Sequence, residues 1–296
     1  MIINLNNSGS LNKILAIISC CFIAAILSAN AQQNTAMEKQ ITSGYAPVNG
    51  LNLYYEIHGN GNIPLVLIHG GGSTIETSFG NFIPLMEGYG KIIAVELQAH
   101  GHTHDRETPE SFTQDADDVA ALLNHLKVDK ANFLGFSNGG TTTLQIAIRH
   151  PDIVNKIVVV SANYRRDGML PGFFDGMQNA TLAQMPALLQ DAFLKVTPDL
   201  NRLKRMFEQD KARMIGFKDI ADEDIKAIKA RALIMVGDQD VVTTEHAIKI
   251  SHLITGARLA VLPGTHGSFI GEVCSATTGS KIPGLTATLV EEFLSE

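Results

Sequence analysis

Two short runs of strand-forming residues, 45–48 and 51–57, flank Asn49-Gly50, a dipeptide that favours the backbone of a tight hairpin turn. Downstream, apolar runs recur at 65–68, 92–95, 132–136, 157–160, 233–236 and 259–262. They are β-branched or leucine-rich and do not alternate with polar residues, which predicts strands buried on both faces. Helical periodicity separates them. Over 112–126, Ala116, Val119, Leu122, Leu123 and Leu126 fall on one face, and 141–148 forms a second helix that Pro151 stops. Further helices are expected at 244–254 and 285–294. Buried strands alternating with amphipathic helices predict an α/β fold, a mostly parallel sheet covered by helices on both sides.

The rhythm breaks at 164–229, where no strand pattern occurs and Pro171, Pro186 and Pro198 divide several helical stretches. An insertion of this size between two sheet strands is a candidate helical lid. Phe173, Phe174 and Met177 within it, with Gly72 from the sheet side, are candidates to contact a substrate, while most other apolar side chains there should bury the insertion's own inner faces.

The N-terminal segment reads differently from the rest. Lys13, the apolar stretch 14–27 and Ser28-Ala29-Asn30-Ala31 have the order of a secretory signal peptide, with cleavage expected after Ala31. The apolar run is shorter than the ~20 residues of a spanning helix, so no stable membrane anchor is expected after cleavage. A lipoprotein alternative would use Cys20, but with only a stub of apolar core before it. The expected division is therefore a signal peptide over 1–31 and one catalytic domain over 32–296, in an exported protein, periplasmic or secreted. Cleavage would leave Cys274 as the sole cysteine, expected to be a small buried apolar residue rather than a nucleophile. Composition adds little: 45% hydrophobic and 18% charged residues suit a globular chain, and a net charge of -7 with no basic stripe excludes a nucleic-acid surface.

The chemistry gathers at predicted strand ends. Strand 132–136 runs through Gly135-Phe136-Ser137-Asn138-Gly139 straight into a helix. A serine on so tight a turn needs glycines two before and two after it for strand and helix to approach. After strand 65–68 comes His69-Gly70-Gly71-Gly72, whose side-chain-free amides suit an oxyanion site; the amides of Gly71 and Asn138 are the expected donors. His69 is expected to serve as a structural hydrogen-bonding residue. Gly237-Asp238-Gln239-Asp240 and Gly264-Thr265-His266 follow the last two strands. Serine becomes an effective nucleophile when a histidine takes its proton and a carboxylate fixes that histidine's tautomer.

These motifs, from Tyr45 to the C-terminus, resemble the α/β-hydrolase superfamily, in which serine, acid and histidine follow in that order. The resemblance implies an eight-stranded type of sheet and a triad of Ser137, Asp240 and His266, with Asp238 as the fallback acid. It implies hydrolysis of a small-molecule carboxylic ester, thioester or lactone, and no cofactor. Aminopeptidase-like and carbon–carbon hydrolase chemistry run on the same triad and remain alternatives. The family's Asp-x-x-Gly-x-Gly-x-Ser stretch is replaced by a loop carrying His100, His102 and His104 beside Asp105. That order departs from the metallo-β-lactamase-like H-x-H-x-D-H, so a solvated rim loop is expected and no metal. A non-catalytic ligand-binding protein on this fold would be expected to lack a triad residue. Oligomeric state is not legible.

Overall fold

The computed structural model describes residues 41–296; the expected signal peptide lies outside them. Eight strands form one sheet in the order β1-β2-β4-β3-β5-β6-β7-β8. β1 (Ile41–Val48) and β2 (Leu51–His58) make the expected antiparallel hairpin, with Asn49 at φ 46° and Gly50 at φ 83°. β2 pairs antiparallel with β4 (Ile92–Glu96), and every later pairing is parallel. Those strands are β3 (Leu65–Ile68), β5 (Ala131–Phe136), β6 (Val154–Val160), β7 (Arg231–Gly237) and β8 (Arg258–Leu262).

Each central strand feeds two cores. In β3, Val66 and Ile68 face one layer and Leu65 and Leu67 the other, all fully buried, because successive side chains point to opposite faces. The first layer is closed by α2 (Phe112–His125), α3 (Asn138–Arg149) and α8 (Thr244–Leu253), and the second by α1 (Ile75–Phe79) and α9 (Ile282–Ser295). β8 departs from the double burial expected of it. It is the edge strand of the sheet, and Leu259 and Val261 are exposed. Cys274 also departs from expectation: it is exposed in the loop before α9.

Between β6 and β7 lie α4 (Phe173–Asn179), α5 (Ala187–Val196), α6 (Leu200–Ile215) and α7 (Asp222–Lys226). Met185, Leu189 and Phe193 pack with Leu203 and Met206 of α6, and with Ala99 of the histidine-rich loop. The insertion is thereby seated over the C-terminal ends of the parallel strands, the edge at which open α/β sheets present their sites.

Candidate active site

Parallel pairing brings Ile68, Phe136, Val160, Gly237 and Leu262 to one edge, and the predicted functional residues follow directly after them. Ser137 occupies the turn between β5 and α3 at φ 55°, ψ -119°, a conformation non-glycine residues rarely adopt. The glycines beside it are sterically required. A Cβ on Gly135 would stand 2.0 Å from the Gly139 carbonyl oxygen, and one on Gly139 would stand 2.1 Å from that of Ile68. Ser137 is the N-cap of α3, yet its hydroxyl makes no capping bond. The hydroxyl lies 3.0 Å from His266 Nε2 instead.

His266 Nδ1 is 2.7 Å from Asp240 Oδ1. Asp240 is buried, and its other oxygen accepts from the Ser161 hydroxyl at 2.5 Å, with the Val242 amide 3.1 Å from Oδ1. Burial pushes the Asp240 carboxyl up, but these donors, His266 foremost, hold it below the usual carboxylate range. Asp238 lies away from this chain of contacts: it is exposed and accepts from the Gly264 amide at 2.8 Å, a loop-capping role.

On the other side of Ser137, neither the Gly71 nor the Asn138 amide donates to another group among the described residues. His69 holds the first of these in place. It is fully buried and its Nε2 accepts from the Leu97 amide at 3.0 Å, which leaves the proton on Nδ1 to donate to the Gly70 carbonyl at 2.7 Å. Burial, with the charge of His100, pushes its pKa down to about 3, so the ring is neutral and structural.

A cavity of about 400 Å³ opens beside Ser137 and His266. Its walls are largely apolar and rich in methionine, including Met169, Met177, Met185, Met206 and Met214, flexible side chains that adapt to irregular shapes. Gly72, Phe173 and Met177 line it. Phe174 does not: it is half-buried, and its ring packs beneath the Arg166 guanidinium, 3.7 Å from the ring centre. Two polar residues at the end of β6 line the cavity and escaped the sequence reading, Ser161 and Asn163. The Asn163 side chain is buried, and its Nδ2 has no hydrogen-bond partner among the described residues.

The histidine-rich loop is not the solvated rim expected of it. His100 is fully buried, with Nδ1 2.7 Å from the Gln98 carbonyl and Nε2 3.0 Å from Asp210 Oδ2. His102 stacks on Tyr54 and pairs with Glu96 at 2.8 Å, and His104 is exposed, so the three rings do not converge. Asp210 and Arg213, on α6, form a buried ion pair that continues to Asp115 at 2.7 Å and to Glu110 at 3.5 Å. Burial opposes charge throughout this cluster. It raises Glu110 to about 8 and Asp115 to about 6, whereas Arg213 and His100 overcome it to hold Asp210 well below the usual range. His100, buried yet facing Asp210, is raised to about 9. The i,i+3 spacing of Asp210 and Arg213 was visible in the sequence, but such pairs ordinarily lie on a solvated helix face.

A family model described as alpha/beta hydrolase fold matches residues 63–207. The chain is 29% identical to human "Serine hydrolase BPHL" over 78% of its length and 82% of that protein. It is 23% identical to the 2-hydroxy-6-oxo-6-(2'-aminophenyl)hexa-2,4-dienoic acid hydrolase of Metapseudomonas resinovorans, covering 80% of this chain and 89% of that one. The enol-lactonase from Burkholderia xenovorans LB400 superposes with a TM-score of 0.67 at 21% identity, over 85% of this chain and all of that one. Both of these relatives are hydrolases, and the solved neighbour shares the fold. The chain is a hydrolase with the α/β-hydrolase fold.

Proposed function

We propose that the protein is an exported serine hydrolase that cleaves carboxylic esters, thioesters or lactones of small, mainly apolar molecules through an acyl-enzyme. The observation that carries this reading is the continuous chain from Ser137 Oγ through His266 to Asp240, set opposite two free amides. Ser137 attacks the carbonyl carbon as His266 Nε2 takes its proton, and the amides of Gly71 and Asn138 receive the oxyanion. Asp240 holds the imidazole with Nε2 free to accept and stabilises the imidazolium. His266 then protonates the departing alcohol, thiol or lactone oxygen and deprotonates the water that releases the acyl group. The adaptable methionine wall favours an apolar substrate, and α4–α7 would act as its lid.

Two alternatives on the same triad fit the cavity less well. Carbon–carbon hydrolysis of a dienoic acid asks for a cation to meet the substrate carboxylate. Among the described lysines and arginines, Lys211 alone lines the cavity, and its Nζ donates to the Ala180 carbonyl at 2.7 Å. An aminopeptidase asks for a free carboxylate to meet an ammonium, but both oxygens of Asp210, the carboxylate in the wall, are engaged by Arg213, His100 and Gly72. A panel of p-nitrophenyl esters, lactones, aminoacyl amides and a 2-hydroxy-6-oxo-dienoic acid tests the reading. Turnover of esters or lactones is expected; turnover of the dienoic acid or the amides alone would overturn the ester assignment. Export rests on the N-terminal pattern, and cell fractionation tests it: recovery of a full-length chain in the cytoplasm would contradict it.

A further inference from the structure

Asp210 stands where the helical insertion meets both carriers of the free amides. Its Oδ2 accepts from the Gly72 amide and from His100 Nε2 at 3.0 Å, while Oδ1 accepts from Arg213 and lies 3.5 Å from Asn138 Nδ2. The approach is close enough that a Cβ on Gly71 would stand 2.4 Å from Asn138 Nδ2 and 3.2 Å from Asp210 Oδ2.

The consequence for geometry follows from peptide planarity. The Gly70 carbonyl and the Gly71 N–H belong to one rigid peptide, and His69 grips its carbonyl end from the core side. The next peptide carries the Gly72 N–H, and Asp210 grips that from the insertion side. Gly72 has φ 67°, so nothing intrinsic to the loop favours this orientation over others. Two successive peptide planes are thus set by two side chains, one from the sheet and one from α6. A carboxylate so near a developing oxyanion would ordinarily oppose it. Here His100 and Arg213, both buried, flank Asp210 with two cations, so the group positions the loop without leaving net negative charge beside the site.

We propose that Asp210 is a positioning residue for the oxyanion hole, so that the hole is complete only when α6 is seated. This rests on the serine-hydrolase reading above. The competing account is that Asp210 merely neutralises Arg213 and His100 inside the protein. That account predicts an effect on Tm, with kcat, KM and transition-state affinity unmoved in any variant that folds.

The test measures kcat, KM, Tm and the inhibition constant of an alkyl boronic acid, which forms a tetrahedral adduct on serine, for wild type and D210N with p-nitrophenyl butyrate. D210N keeps the shape but weakens the grip on the Gly72 amide. The expectation is a kcat lower by roughly 10- to 100-fold, less than the ~10²–10³ lost when an oxyanion donor is removed. KM should stay within about threefold, and boronate affinity should fall in parallel with kcat. If D210N does not fold, D210N/H100Q, which removes the buried imidazolium facing the new amide while Arg213 keeps Asp115, should show the same pattern. A folded variant with kcat and boronate affinity within about threefold of wild type overturns the proposal, as does a loss confined to KM. A wild type that neither turns over esters nor binds boronate would overturn the hydrolase reading and this inference with it. Turnover by wild type with an indifferent Asp210 overturns this inference alone.

Discussion

Asp240→Asn bears most on how the site is wired, because Asp240 and Asp238 lie two residues apart and only one meets His266. The environment of each Asp240 oxygen decides how the new amide would settle. Oδ1 faces His266 Nδ1 at 2.7 Å and the Val242 amide at 3.1 Å, two donors. Oδ2 faces the Ser161 hydroxyl at 2.5 Å, which can turn to accept, and the Gly237 amide at 3.4 Å. The carboxamide nitrogen should therefore turn toward Ser161, leaving its oxygen toward His266 and the tautomer intact. What is lost is the negative charge beside the imidazolium. At a separation of about 4 Å and an effective dielectric near 20, that charge is worth ~4 kcal/mol, or roughly 10³ in rate. Had the tautomer also reversed, a loss of about 10⁴ would follow. Asp240→Asn should lower kcat by ~10³ with KM little changed, whereas Asp238→Asn, exposed and bonded to the Gly264 amide, should stay within about threefold of wild type. Steady-state kinetics of both variants on one p-nitrophenyl ester decides the matter. A loss under tenfold at Asp240, or the larger loss at Asp238, would refute the assignment.

Gly135→Ala should destabilise the fold by ~3 kcal/mol or more, or abolish soluble expression, since its Cβ would meet the Gly139 carbonyl at 2.0 Å and Thr143 Oγ1 at 2.3 Å; a wild-type Tm would contradict the steric account of the turn. Asn163→Leu should leave Tm unchanged or raise it, because the Asn163 Nδ2 has no partner to lose, while altering the ranking of polar against apolar acyl esters; a marked fall in Tm would show an unrecognised structural bond. His100 carries a pH dependence. Its pKa is raised to about 9 by Asp210 against the opposition of burial and Arg213, with Glu110 adding to the rise and the neighbouring His69 ring neutral. A raised histidine contributes stability that is fully present below the unfolded pKa of ~6.5 and lost as pH rises through about 9, up to ~3 kcal/mol. The Tm gap between wild type and His100→Gln should therefore shrink from pH 6 to pH 9.5, and a gap that widens would contradict the charged pairing.

The sheet and the order of motifs were legible because each carries a local signature. Buried parallel strands read as continuous apolar runs, and the serine turn needs glycines at two fixed offsets that the structure shows to be sterically required. Ser137, Asp240 and His266 each follow a strand, so the parallel sheet alone brings them together. The wall of the cavity was less legible. Phe173 and Phe174 are adjacent and equally apolar, yet helix rotation turns one into the cavity and lays the other under Arg166. His100 and Asp210, 110 residues apart, meet only through the docking of α6, and no local pattern distinguishes a helix face that meets a buried histidine from one that meets water. Asn163 carries no local signature, because what matters at that position is the absence of a bonding partner, a property of the fold.

The central claim, that Ser137 is the nucleophile, is tested most directly by covalent labelling with a fluorophosphonate followed by peptide mass mapping. The account predicts a single adduct on the peptide carrying Gly135-Phe136-Ser137-Asn138-Gly139, formed in step with the loss of esterase activity and absent in Ser137→Ala. Labelling at another residue, or full activity in Ser137→Ala, would contradict it.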